Sequence, residues 1–307
     1  MDRLEAMSLL IETMECGSMS AAGRKLNIPL ATLSRKLTDL EDHLGVRLLI
    51  RSTRRLELTD AGNLFLAASR RILDQMDDAE REATGEYQAP RGRLVLTAPL
   101  SFGRKHVLPV VEEFLERHPE VNVRLGLSDH HLDLVGEHVD LAVRLGVLRD
   151  SQLIARKVGE MPWVVVASPR FLASHGEPRK PEDLAGKPCV GVDFIHLARW
   201  WRFRTPGNAD DYTVPITPRL AVTTGEGAVD AAVAGVGLTQ TLYYQAASDI
   251  AAGRLKVVLA DHAAAPLPVS LVYTGTGRMP AKTRRFLDFA APRIKRHLES
   301  LGGSSSQ

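Results

Sequence analysis

In "NIPLATLSRKLTDLE", residues 27–41, Leu33, Leu37 and Leu40 recur at helical spacing, and Leu44 just beyond continues the stripe. At about 100° per residue, Arg35 stands roughly 200° from Leu33, on the side away from the leucines. Ala31 and Thr38 share that outer side, and Thr32, Ser34 and Lys36 flank it. One face is made for burial. The other carries small side chains, hydroxyls and cations, a chemistry that fits a DNA major groove. Arginine can pair with guanine through two hydrogen bonds, hydroxyls can bond bases or phosphates, and small residues let the backbone approach. A lysine at the edge would neutralise phosphate without reading sequence.

Upstream, Met7, Leu10, Ile11 and Met14 form another helical stripe, which Gly17 ends. Ser18 or Ser20 can cap a short second helix reaching Leu26, and Ser20 and Arg24 join the candidate DNA contacts. Asn27 and Ile28 make a tight turn, and Pro29 suits the first turn of the third helix. Two helices joined by so short a turn, the second polar outside, describe a helix-turn-helix. Downstream, "VRLLIRSTRRLELT", residues 46–59, predicts two short strands around a turn at Ser52–Thr53. Arg51, Thr53, Arg54 and Arg55 crowd its tip. A basic hairpin beside a recognition helix is a wing, whose tip would lie along phosphates or in the minor groove.

Charge supports the same picture through its distribution, since the formal net charge is only +2. Cations without acids occupy 17–38 and 43–56, whereas acids dominate 59–87. A basic region this confined points to a polyanion, although a solvated basic face has the same composition. No apolar run approaches the roughly 20 residues needed to cross a bilayer, so no membrane partner is expected. The N-terminus is too acidic for a secretory leader. Cys16 and Cys189 offer no disulfide framework, and a reducing cytoplasm is the simplest expectation.

The segment "SMSAAGRKLNIPLATLSRKLTDLEDHLGVRLLIRSTRRLELTDAG", residues 18–62, resembles the winged helix-turn-helix of LysR-type transcriptional regulators. "AAGRKL", "LSRKLTDLEDHLGVRLL" and "RRLELTDAG" carry the likeness, which extends over the whole chain in length and order. The resemblance implies an α+β multidomain protein. A winged helix-turn-helix (1–58) is followed by a long linker helix (59–89), a two-lobed α/β effector domain like that of periplasmic binding proteins (90–300) and a flexible tail (301–307). Lobe I would hold about 90–162 and 268–300, and lobe II about 163–267. Many members carry serine and glutamine where this chain has Pro29 and Leu30, so specificity must rest on Thr32, Ser34, Arg35 and the wing.

From Thr59 onward, Phe65, Ala68, Ile72, Met76, Ala79 and Ala83 are spaced as a coiled-coil seam. Such a narrow stripe can pack on its own domain or on a second copy. The resemblance favours the copy, giving a homodimer or dimer of dimers on a double-stranded, partly palindromic operator. Beyond residue 90, strands alternate with helices, which predicts parallel sheets covered on both faces. The resemblance places a small-molecule cleft between two lobes, with crossings near 161–168 and 266–269. Ser101 can cap the helix carrying Val107–Phe114, and Thr223 or Thr224 the helix from Gly225, so both helix starts suit a carboxylate. Ser101, Phe102, Ser128, Arg144, Phe194, Thr223 and Thr224 are the candidate effector residues. Each hydroxyl can equally serve as a cap alone, and Arg144 as a structural ion pair. Thr239, Gln240 and Thr241 replace the family's usual leucine–proline pair and would add polar groups near the cleft.

Other signals carry less. His130, His131 and His138 lack metal-ligand spacing. Cys189 reads as a small apolar residue, and Trp200, Trp201 and Phe203 as strand packing. "GEGAVDAAVAGVG", residues 225–237, lacks the lysine of a phosphate loop, so no cofactor is expected. No nucleophile–base pair stands out for an enzyme. The sequence therefore predicts an effector-controlled DNA-binding regulator, which would also meet RNA polymerase if it activates. The alternative is a solute-binding module with a basic docking region and no DNA role.

Overall fold

A computed structural model of the chain describes residues 2–51, 56–84, 90–129, 134, 139–148, 153–192, 199–207, 210–275 and 279–303. Two compact units, Met1–Gly92 and Arg93–Gln307, divide it. In the first, α1 (Arg3–Glu15), α2 (Met19–Leu26) and α3 (Leu30–Leu44) precede a hairpin of β1 (Leu49–Arg51) and β2 (Leu56–Leu58), and α4 (Asp60–Thr84) follows. Asp2 caps α1 and Ser18 caps α2, leaving Ser20 inside that helix. Asn27 ends α2 in the left-handed region at φ 54°, which asparagine tolerates better than most residues.

The buried side of α1 is Ala6, Leu9, Leu10 and Thr13, one step round from the predicted stripe, with Met7, Ile11 and Met14 half-buried at its margin. On α3, Leu33, Leu37 and Leu40 are fully buried, but Leu44 is 36% exposed. Glu41 takes the fourth inward position at 2% exposure. Its carboxylate accepts the N–H groups of Leu48 (2.8 Å) and Leu49 (3.0 Å) and pairs with Arg47 (3.1 Å). These bonds fasten the hairpin's first strand to α3, in the register Leu49↔Leu58 and Arg51↔Leu56. Thr59 caps α4 by accepting from Gly62 N–H at 2.9 Å. A Cβ on Gly62 would stand 2.0 Å from the Leu48 carbonyl oxygen, so only glycine lets α4 start this close to the hairpin.

In the second unit the chain runs β3 (Gly92–Ala98), α5 (Leu100–Phe102), a π-helical turn at Gly103–Val107, α6 (Leu108–Arg117), β4 (Val121–Leu127), β5 (Leu141–Leu145) and β6 (Leu153–Met161). After Pro162 it continues through β7 (Trp163–Ala167), α7 (Pro169–His175), β8 (Cys189–Val192), β9 (Trp200–Arg204), β10 (Asp211–Pro215) and β11 (Pro218–Val222). Then come α8 (Gly225–Val233), β12 (Leu238–Leu242), α9 (Tyr243–Ala251), β13 (Lys256–Val258), β14 (Leu267–Thr274) and α10 (Ala281–Gly303). One sheet has the order β4-β3-β5-β14-β6 and the other β11-β8-β12-β7-β13, so the chain passes between sheets at Pro162 and again after β13. The predicted all-parallel sheets are corrected. β14 is antiparallel to β5 and β6, and β7 to β12 and β13.

Successive residues of β7 bury on opposite faces, Val165 and Ala167 with Phe171 and Phe203, Val166 with Val229 and Ala232. The other lobe's core gathers Phe102, Phe114, Leu141, Val269 and Phe286. Tyr243 and Tyr244 at the start of α9 belong to that same core, which joins the two lobes. The predicted flexible tail lies partly in α10, which runs to Gly303, and residues 304–307 lie outside the described ones.

Replacing Glu41 by alanine strands two buried amides, each costing about 1–3 kcal/mol. Glu41→Ala should therefore lower the urea midpoint of the N-terminal unit and speed hydrogen exchange at Leu48 and Leu49. Unchanged protection of those two amides would contradict the assigned bonds.

Candidate nucleic-acid interface and ligand cleft

The outer side of α3 is open. Ala31 and Arg35 are exposed, and no carboxylate of the described residues lies within ion-pair distance of Arg35. Thr32, Ser34 and Thr38 are half-buried beside them, and Thr38 donates its hydroxyl proton to the Ser34 carbonyl at 3.0 Å. Lys36 differs from expectation. It is half-buried and bound to Glu5 of α1, so part of its charge is already neutralised within the fold. Lys25 likewise pairs with Glu12 at 2.6 Å, which raises its pKa. Ser20 and Arg24 on α2 are exposed. Arg51 closes β1, while Thr53, Arg54 and Arg55 at the hairpin tip lie outside the described residues. Leu30, in the first turn of α3, is 49% exposed.

On α4 the predicted seam divides. Phe65 packs with the buried Leu66 on the first unit's core, and Ser69 is buried as well. One and two turns further, Ile72 and Met76 are 40% and 43% exposed. This apolar stripe is left uncovered by the rest of its unit.

The effector candidates are only partly brought together. Ser101 is buried within the first helical turn after β3 and is not a cap. Asp129 caps that turn instead, accepting from Leu100 N–H at 3.0 Å. Phe102 is corrected as a cleft wall. Its ring is fully buried in the core, edge-on to Tyr244 at 5.4 Å. Ser128 is half-buried, with its N–H on the Ala98 carbonyl at 3.0 Å. Arg144 on β5 is half-buried, and burial lowers its pKa from a value so high that the guanidinium stays charged. Thr224 caps α8 by accepting from Gly227 N–H at 3.1 Å, with Thr223 exposed beside it. Phe194 lies outside the described residues.

One contact that sequence reasoning missed ties these pieces together. Glu226, in the first turn of α8, accepts from Arg104 at 3.2 Å and lies 3.7 Å from Lys105. Both cations sit three or four residues after Ser101, so the pair joins the two lobes beside the candidate helix starts. Thr239, Gln240 and Thr241 add no free polar wall. Thr239 donates to the Val190 carbonyl, Thr241 to Gln245, and Gln240 clasps both main-chain groups of Arg202 at 3.0 and 2.6 Å. Burial pushes the Cys189 thiol up to about 12, which leaves it inert near neutral pH. Among the described residues no group of three potential ligands could hold a metal ion, and the three loop histidines lie outside them.

Comparison with known proteins agrees with this architecture. Residues 4–63 match the family described as bacterial regulatory helix-turn-helix protein, lysR family, and residues 87–295 match the LysR substrate binding domain. An HTH-type transcriptional regulator of Xanthomonas campestris is 33% identical over 290 residues, 93% of this chain and 84% of that protein. CrgA of Neisseria meningitidis is 31% identical over 303 residues, 96% of this chain and 98% of its own. Its solved structure superposes with a TM-score of 0.60 at 31% identity, covering 94% and 98% of the two chains. That of the Vibrio cholerae virulence activator AphB gives 0.58 at 30% identity, with the same coverage. The chain belongs to the LysR family: it is a DNA-binding transcription regulator with an effector-binding domain. The alternative of a solute-binding module with no DNA role is set aside, since residues 4–63 match a DNA-binding domain. The relatives are regulators of transcription, and no helix of the described residues is long and apolar enough to cross a membrane.

His106 in the π-helical turn is buried with both ring nitrogens unpartnered. Burial first, then the charges of His297 and Lys105, lower its pKa to about 4. Unfolded, it would titrate near 6.5. Between those values the unfolded chain binds a proton that the folded one refuses, so stability falls as pH drops from about 6.5 to 4 and levels below. His106→Leu should flatten that limb of the urea-midpoint profile, and an identical profile would count against a neutral buried ring.

Proposed function

We propose that residues 1–58 read an operator, that 59–89 pair two copies, and that 90–300 respond to a small organic acid bound between the lobes. Arg35 would enter the major groove with Ala31, Thr32, Ser34 and Thr38 around it, and Leu30 would offer an apolar contact to a thymine methyl. Ser20, Arg24, Lys36 and the hairpin tip of Arg51, Thr53, Arg54 and Arg55 would hold phosphates and set the register. The observation that carries this reading is the exposed Arg35 on a helix whose Leu33, Leu37 and Leu40 are fully buried on the opposite side. Arg35→Ala should weaken operator binding by about 1–3 kcal/mol without loss of fold or dimer. Phosphate contacts make the affinity fall steeply with salt. A gel-shift titration with undiminished affinity would remove Arg35 from the interface.

In the cleft, Ser101, Ser128, Arg144, Phe194, Thr223 and Thr224 would surround the acid, with Phe102 holding the first helical turn in place from the core. An incoming carboxylate competes with Glu226 for Arg104 and Lys105, which gives the ligand a differential contact between two arrangements of the lobes. The pair is largely solvated, so its loss changes little energy. Glu226→Gln should tighten effector binding by a factor of about two to five, whereas Thr224→Val should weaken it. Calorimetry on the full chain separates the two, and a tighter Thr224→Val variant would move the site elsewhere. The regulator would work in the cytoplasm, and as an activator it would also contact RNA polymerase.

A further inference from the structure

On α1, Glu5, Ser8, Glu12 and Glu15 follow one another at spacings of three and four, so they share one edge of the helix. Each carboxylate on that edge holds a cation from a different element. Glu5 binds the ammonium of Lys36 on α3, Glu12 that of Lys25 on α2 at 2.6 Å, and Glu15 the guanidinium of Arg70 on α4 at 3.1 Å. The stretch 17–38 carries Arg24, Lys25, Arg35 and Lys36 and no acid of its own. Folding divides these four. Among the described residues no carboxylate lies within ion-pair distance of Arg24 or Arg35, whereas each lysine sits on an acid brought from the preceding helix.

These pairs are not what holds α1 in place. Ala6, Leu9, Leu10 and Thr13 bury it from another side. The Lys36 and Glu5 side chains keep 29% and 44% of their surface exposed, and Lys25 and Glu12 keep 56% and 28%. Exposed ion pairs are weak, so one anion can replace another at small cost. A phosphate oxygen offers an ammonium the same charge-assisted bond as a carboxylate, and the flexible four-carbon stem of lysine lets its head change partners.

We propose that Glu5 and Glu12 are positioning residues that set the affinity for duplex DNA by competing with backbone phosphate for Lys36 and Lys25. Off DNA, each acid holds its ammonium. On DNA, the ammonium passes to a phosphate and the carboxylate is left to water. Breaking each pair then opposes binding, so these cations attract a duplex less than their number implies. Phosphate contacts carry the sequence-independent part of binding, and that part is what the acids weaken. Arg24 and Arg35 stay open throughout. The inference rests on the reading that the outer sides of α2 and α3 meet the duplex.

The test titrates the full chain into a labelled random-sequence duplex by fluorescence anisotropy, at about 50 and 200 mM KCl. Removing any carboxylate raises the net charge and tightens binding somewhat, so double-mutant cycles decide. Glu5→Gln should tighten binding about two- to five-fold more when Lys36 is present than in a Lys36→Met background, and Glu12→Gln likewise with Lys25 and Lys25→Met. The excess should shrink at the higher salt. The same cycle with Glu15→Gln and Arg70→Met should be additive, because Arg70 lies on α4, outside the candidate contacts. All six side chains are partly solvated, so the variants keep the fold, which circular dichroism checks. Equal tightening in both backgrounds, or an Arg70 cycle coupled as strongly, overturns the proposal. Arg35→Ala is measured alongside. Weaker binding there with additive cycles removes only the competition, whereas unchanged binding removes the α3 interface and the proposal with it.

Discussion

The carboxylate of Glu41 sits at the joint between α3 and the β1–β2 hairpin, accepting from the amides of Leu48 and Leu49 and pairing with Arg47. A buried charge is tolerated where donors surround it, and removing the donors or the charge leaves something uncompensated. The three inward leucines hold α3 against the core, but they would let the segment after Gly45 leave in several directions. Glu41 selects one. The strands β1 and β2 are thereby held in a fixed direction relative to α3. Gly62 extends the same constraint to α4, which starts against the Leu48 carbonyl and carries its uncovered stripe away from there.

In the second unit the lobes are not independent. Tyr243 and Tyr244 lie at the beginning of a helix that follows a strand of one sheet, yet they are buried in the core below the other. Tyr244 stacks edge-on against Phe102 and His106, and Glu226 reaches Arg104 and Lys105 nearby. Apolar contact therefore joins the lobes, and a partly exposed ion pair adds a second link. The division of labour follows from magnitudes: burying a ring is worth several times an exposed salt bridge.

Local pattern carried a long way here. Period and caps placed the end of α1, both ends of α2 and the start of α3 to within a residue or two, because leucine spacing, Gly17, Asn27 and Pro29 act on their immediate neighbours. The resemblance of residues 18–62 then named the family. Pattern misplaced what depends on distant partners. Leu44 and Glu41 are three residues apart on one helix, and only the amides of Leu48 and Leu49 explain why the acid is inside. Ser101 looked like a cap, but Asp129 from a distant loop fills that position.

The sequence alone gave the class of protein, the third helix with its outward Arg35, the hairpin and the long helix after it, since periodicity and turn chemistry are short-range. The direction of the strands, the burial of Phe102 and the pairing of Lys36 with Glu5 were decided only in three dimensions. Each depends on which remote segment arrives opposite a given side chain, and nothing in the spacing of residues along one chain records that.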